Sequence, residues 1–266
     1  MDALRFLYET RTGRLLLAPL IARPVSDLAG AFLDSRLSRP LTRPFVKRNN
    51  IHCEDYLLDG VDSFNAFFCR RIRPELRPID ESPDTLVAPC DGFLSVYPIA
   101  GGLVLPVKQC HYRIADLLDD EELAQYLDGG HCFVFRLCVE HYHRYIYPVS
   151  GVQEPVINIP GTYHTVRPVA LRACPVFCEN TREYTVVHTG RGMIVQIEVG
   201  AMLVGRIRNH RRLAGPVTRG EEKGMFQYGG STVILLTGPG YCRPLDAFRT
   251  EREVPIHMGQ PVGKIL

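Results

Sequence analysis

The chain changes texture near residue 86. Before it, apolar positions recur at helical spacing. After it, they come in short runs of strand length divided by glycine and proline turns. Residues 3–22 set Leu4, Leu7, Tyr8, Leu15 and Leu16 against Arg5, Arg11 and Arg14. That pattern predicts an amphipathic helix, or two half-helices broken at Pro19, whose ring removes a backbone donor. Ser26 predicts the N-cap of a second helix running through Leu33 and Leu37, ended by Pro40, Pro44 and Asn49-Asn50. Ser63 predicts the cap of a short helix over Phe64, Asn65, Ala66, Phe67 and Phe68, followed by a proline-punctuated connector at 73–78. Strands are predicted at 92–97, 103–107, 132–139, 184–188, 193–199 and 232–236, with one helical interruption at 114–126. The fold class expected is α+β, a helical N-terminal segment packed on a mainly antiparallel β-sandwich or barrel-like core. The division expected is 1–62 for the helical segment and 63–266 for the β-rich domain.

Composition keeps that picture and charge adds to it. The 266 residues are 45% hydrophobic, which suits one large domain with an appendage. Nine cysteines, an odd and scattered set with no signal-peptide pattern ahead of them, predict reduced thiols in a cytosolic setting. Cys174 and Cys178 are the only close pair, and without a second pair they read as packing rather than a zinc site. Net charge is +2, yet residues 1–50 carry nine Lys+Arg against four Asp+Glu. A basic, Leu-rich segment on a near-neutral body predicts either a helical pair with solvated arginines or a segment lying on anionic lipid. Its longest apolar run, 15–22, is too short to span a bilayer, which takes roughly 20 residues.

The densest chemistry stands at Gly229-Gly230-Ser231-Thr232, which runs straight into apolar strand residues. A serine just after a glycine bend can turn its hydroxyl on the preceding carbonyl. Attack by Ser231 Oγ on Gly230 converts an amide to an ester. Elimination then cuts the chain and leaves dehydroalanine, and loss of ammonia leaves a pyruvoyl ketone. The same four residues also suit an ordinary hairpin turn entering a buried strand. Asp91, in Pro89-Cys90-Asp91-Gly92, is a turn residue unless it lies beside a histidine whose tautomer it fixes. In Glu140-His141-Tyr142-His143-Arg144, a strand would put His141 and His143 on one face. With no third ligand in the spacing, no metal is expected there, and acid–base work or anion binding with Arg144 is the better reading. Gly200 to Ile207 reads as a closely packed small-residue strand, and Arg219-Gly220-Glu221-Glu222-Lys223-Gly224 as a charged turn.

Nine motifs stand in order: Phe64-Asn65-x-Phe67-Phe68, Pro89-Cys90-Asp91-Gly92, Tyr142-His143-Arg144-Tyr145, Pro160-Gly161, Asn180-Thr181-Arg182-Glu183, Val199-Gly200-Ala201, Val204-Gly205-Arg206-Ile207, Lys223-Gly224-x-Phe226 and Gly229-Gly230-Ser231-Thr232-Val233. Together they resemble the phosphatidylserine decarboxylases. The resemblance implies a proenzyme that cuts itself between Gly230 and Ser231 into a β chain, 1–230, and an α chain, 231–266. Ser231 becomes a covalent pyruvoyl group, which forms a Schiff base with phosphatidylserine and releases CO2 and phosphatidylethanolamine. The implied partners are phosphatidylserine in an anionic membrane, on its cytoplasmic side and peripherally, and the two chains of one precursor. No nucleic acid is expected, and a homo-oligomer is left open. Asp91 is implied in a self-cleavage triad and His143 in decarboxylation, with Arg144 and His141 as candidates for substrate binding. The family's second histidine, the triad base, is Ile146 here, so His164 is the expected substitute; His143 or His141 serving both steps is the alternative. An uncut lipid-binding homologue and a pyruvoyl decarboxylase of a soluble amino acid are the competing functions.

Overall fold

The computed structural model describes residues 3–107, 110–201, 206–229, 231–248 and 252–266. An antiparallel sheet of 11 strands organises them. Its middle runs Arg182–Thr189, Gly192–Val199, Ser231–Thr237, His131–Leu137 and Gly92–Ala100, with Val254–Ile256 along part of the last. The path has two ends, so the sheet is open rather than the closed barrel that many short strands suggested. The strands predicted from alternation all appear, most of them longer by one to three residues, because each extends until its last partner runs out.

The two faces bury different layers. Val233, Leu235, Phe133, Phe135 and Ile194 pack with Tyr145, Phe226, Leu86 and Val262, which come from two small three-stranded sheets. Ile234, Leu236, Val195, Ile197 and Val134 face the other way, onto Tyr8, Leu17, Ile114, Leu117 and Phe177. Alternation along one strand thus feeds both layers. Each such fully buried aliphatic side chain contributes about 1.5–3 kcal/mol relative to exposure.

The N-terminal segment is helical, with its breaks moved. Helices run Ala3–Glu9, Arg11–Leu20 and Arg23–Asp34. The first break falls at Thr10, whose side chain accepts from Gly13 N, and not at Pro19, which sits in the last turn of the second helix. Ser26 is a buried interior residue rather than a cap, since Pro24 opens that helix with the φ that a first turn needs. Ser63 does cap Phe64–Phe68, accepting from Ala66 N. The interruption at 114–126 is two helices, Ile114–Leu118 and Glu121–Tyr126, parted at Asp119 in the left-handed region. No single helix among the described residues is long and apolar enough to cross a membrane.

Candidate active site

Register builds the site. Ser231 opens its strand and pairs with Leu137. Phe93 pairs with Arg136 and Ile256 with Gly92, so Ser231, Leu137, Gly92 and Ile256 form one row across four strands. Gly92 is required there: its φ is +155°, and a Cβ would stand 2.7 Å from the Arg136 carbonyl oxygen. On the other side Thr232 pairs with Val199, which brings Gly200 beside Ser231. Asn180 Nδ2 ties this end together by donating to Gly200 O at 2.7 Å and His164 O at 2.8 Å. Gly230 and residues 202–205, part of the expected small-residue strand, lie outside the described residues.

Ser231 is fully buried and its Oγ has no hydrogen-bond partner among the described residues. It shares a face with Val233, Leu235 and Glu198, whereas Thr232 points to the helical layer. His143 is also fully buried. It lies in a loop just before the Arg144–Ile146 strand, so the expected strand pairing with His141 does not occur. Its Nδ1 donates to His141 O at 2.9 Å, which leaves Nε2 as the lone-pair nitrogen, and Nε2 has no partner. The ring packs on Phe68 at 4.0 Å between centroids. Burial, with the nearby Arg70 charge, pushes its pKa down to about 3. The His143 ring connects to the segment entering Ser231 through Phe68, whose ring lies 4.0 Å from it and 5.1 Å from that of Tyr228, three residues before Ser231. Buried polar atoms left without a partner are costly in a folded chain.

His143 makes stability depend on pH. A free histidine takes its proton near 6.5, about where the unfolded chain does. Between that value and the folded value of about 3 the unfolded chain binds more protons, so stability falls as pH drops through this window. Urea midpoints of the Ser231→Ala chain are expected to fall between pH 7 and pH 5, and His143→Phe to make that fall shallower. An equal slope in both variants would remove His143 as its source.

Asp91 is paired, but not with His143. Arg77 Nε and Nη2 donate to its two oxygens at 2.7 and 2.6 Å, Met258 N adds a bond at 2.9 Å, and His257 Nδ1 stands 3.8 Å away. Burial raises its pKa, yet Arg77, His257 and Met258 outweigh burial and hold it down to about 2. Asp91 immediately precedes Gly92, whose strand is the second from Ser231's, so the two backbones stand roughly 10 Å apart by strand spacing. Ile146 donates its N–H to Pro89 O at 2.9 Å and packs with Tyr142, Met258, Val87 and Ile72. The place beside Asp91 where the resemblance puts an imidazole is filled by aliphatic packing, and a guanidinium meets the carboxylate instead.

The remaining candidates are engaged. Arg144 Nη1 donates to Glu222 at 2.6 Å and its Nε to Cys69 O at 2.8 Å, so its charge is met inside the fold. His141 Nδ1 accepts from Cys138 N, and burial lowers its pKa. His164 has Tyr8 OH at 3.2 Å from Nδ1 and Glu179 Oε2 at 3.3 Å from Nε2. Tyr8 belongs to the helical layer, opposite the face that carries Ser231 Oγ. Cys174 lies near, and one donor atom each from His164, Cys174 and Glu179 falls within 4.8 Å of the others.

Sequence reasoning missed Arg77, read as part of a connector, and the pair Lys223–Glu198. Lys223 Nζ reaches both Glu198 oxygens at 2.7 Å with both side chains fully buried, and Asn209 adds a bond to each. Burial pushes Glu198 up and Lys223 down, each toward its neutral form, against their mutual attraction. Strand alternation gave no signal for Lys223, since burial along 222–226 does not alternate and the pairing register shifts between Glu222 and Gly224. Lys223→Met strands a buried carboxylate on Ser231's face and is expected to cost about 3–5 kcal/mol. Lys223→Met with Glu198→Leu is expected to recover most of that loss, read by urea unfolding in the Ser231→Ala background.

Comparison with known proteins identifies the family. The profile of the phosphatidylserine decarboxylase family matches residues 64–264. A protein of Clostridium acetobutylicum named phosphatidylserine decarboxylase proenzyme 2 is 36% identical over 98% of this chain and 91% of its own length. A phosphatidylserine decarboxylase proenzyme of Desulfitobacterium hafniense is 39% identical over 87% of this chain and 80% of its own. One of Clostridium perfringens is 35% identical over 96% and 90%. The profile match across most of its length and the relatives 35–39% identical over most of it show that this chain belongs to the phosphatidylserine decarboxylase family.

Proposed function

We propose that the chain cuts itself between Gly230 and Ser231 and then decarboxylates phosphatidylserine to phosphatidylethanolamine. The observation that carries this is the buried Ser231 Oγ, without a hydrogen-bond partner among the described residues, three residues after Tyr228, whose ring meets the Phe68 ring that also packs on His143. In the first step Nε2 takes the hydroxyl proton, Oγ bonds to the Gly230 carbonyl carbon and that carbon's bond to nitrogen breaks. The proton passes to the freed amine, leaving an ester. Removal of the Ser231 Cα proton then expels Gly230 as a carboxylate, and water releases ammonia from the resulting dehydroalanine.

A pyruvoyl group fits at 231, because the Ser231 hydroxyl it replaces holds no hydrogen bond that would be lost. When present, that group supplies a ketone electrophile and a sink for the electrons left by CO2. The chain's own part is exclusion of water and proton delivery. Phe68 and Tyr228, 5.1 Å apart by ring centroids, wall the site, and His143 is positioned to return a proton to carbon. The Arg70 charge lowers His143's proton affinity, and an anionic substrate arriving beside it raises that affinity again.

The substrate lies in a bilayer, and the N-terminal helices suit its surface. Leu15, Leu16, Leu28, Phe32 and Leu37 are exposed, among the basic residues Arg11, Arg14, Arg39, Arg43 and Lys47. Peripheral attachment to an anionic, cytoplasmic leaflet follows, at roughly 1 kcal/mol per basic residue near the surface. Leu15→Glu with Leu16→Glu and Leu28→Glu is expected to weaken flotation with phosphatidylserine vesicles more than tenfold while leaving self-cleavage intact. Unchanged flotation would favour decarboxylation of a soluble amino acid. Ile146 and the Arg77–Asp91 pair favour a second reading, an uncut lipid-binding homologue. Denaturing electrophoresis with a carbon dioxide release assay decides between them: two fragments and turnover for the first, one chain and none for the second.

A further inference from the structure

One side chain, Asn65, hydrogen-bonds both the N-terminal helices and the segment leading into Ser231. Asn65 is 2% exposed and sits in the Phe64–Phe68 helix. Its Oδ1 accepts from Tyr228 N at 3.1 Å, three residues before Ser231. Its Nδ2 donates to Asp34 Oδ1 at 2.9 Å, at the end of the Arg23–Asp34 helix. The amide is therefore oriented from both sides: Asp34 accepts only from a donor, which turns the amide oxygen toward Tyr228. The Tyr228 ring is held by the same layer, at 4.9 Å from Phe64, 5.1 Å from Phe68 and 6.2 Å from Phe45, beside Leu33. Ser38 Oγ fixes the helix itself, accepting from Phe64 N at 2.9 Å.

We infer that Asn65 is a positioning residue for self-cleavage, and that Asp34 sets its amide so that docking of the N-terminal helices aligns the segment entering Ser231. The inference rests on the cutting reaction proposed above. The Asp34–Asn65–Tyr228 chain of bonds ties the main chain three residues before Ser231 to the Arg23–Asp34 helix of the N-terminal segment, so it restrains the approach to Ser231. Attack on a neighbouring carbonyl depends on such alignment, and loss of it is felt in rate before it is felt in folding.

The test follows conversion of the freshly made full-length chain by denaturing electrophoresis. Asn65→Ala is expected to slow the cut about tenfold, the worth of one buried hydrogen bond. Asn65→Asp keeps the acceptor for Tyr228 but sets a carboxylate against Asp34, and slows it similarly. Asp34→Asn with Asn65→Asp reverses the pair's polarity, restores donor and acceptor, and is expected to return the rate to within about twofold of the parent. Melting of the same variants in the Ser231→Ala background separates alignment from folding. Slowed cutting with unchanged melting, reversed in the swap, supports the inference. Cutting at the parent rate in Asn65→Ala, or a swap that melts like the parent and stays slow, overturns it. A parent chain that never cuts overturns the proposed function instead, so the two failures are distinct.

Discussion

Ser231→Ala is expected to yield one uncut 266-residue polypeptide with no decarboxylase turnover, whereas the parent yields chains of 230 and 36 residues. The effect is all or none because alanine offers no oxygen to form the ester, and no neighbouring hydroxyl can take its place. Thr232 is buried with an unpartnered Oγ1 of its own, but strand alternation turns it to the helical layer, away from Ser231's face. Thr232→Val is therefore expected to cut normally. Intact-mass analysis reads both variants directly, and a blocked N-terminus on the shorter parent fragment marks the pyruvoyl end. Fragments from Ser231→Ala would show that some other group breaks the chain. The alanine variant costs little in stability, since the lost hydroxyl makes no bond in the folded chain. That property also makes it the right background for every unfolding measurement proposed above.

How much of this was legible beforehand depended on whether the signal was local. Short apolar runs at 193–199 and 232–236 located two central strands, because a strand buried on both faces announces itself that way. Ser63 announced its helix through a cap that acts three residues away. Openness of the sheet could not be read, because closure depends on which strands meet at the ends and not on how many there are. The N-terminal break was misplaced because Pro19 is tolerated in a final turn, while Thr10 holds the earlier break with its own side chain. Within the site, Ser231, Asp91 and His143 were legible as residues, but their partners were not. Asp91 and Arg77 are 14 positions apart and Lys223 and Glu198 are 25, and no helical or strand period links either pair. Ile146 was visible as a departure. Only the structure explains what it does: it fills the space near Asp91 with hydrocarbon while Arg77 takes over the carboxylate.

In the proposed function, with isoleucine at 146, His143 serves as the base for the cut, and His143→Asn is expected to slow self-cleavage by at least about a hundredfold. Asparagine keeps a side-chain N–H near Nδ1, so the bond to His141 O and the loop survive, while the nitrogen facing the site is lost. His164→Ala tests the competing imidazole. That ring already meets Tyr8 and Glu179 and belongs to the layer opposite Ser231 Oγ, so its loss is expected to loosen the first helix and leave the cut in place. The pH dependence tells the two apart without relying on either variant alone. A base held to a pKa of about 3 by burial and Arg70 stays unprotonated down to mildly acid pH, so cutting by His143 is expected to hold its rate from pH 7 to pH 5. A cut that is fast in His143→Asn, and lost in His164→Ala, would move the base to the other face of the sheet.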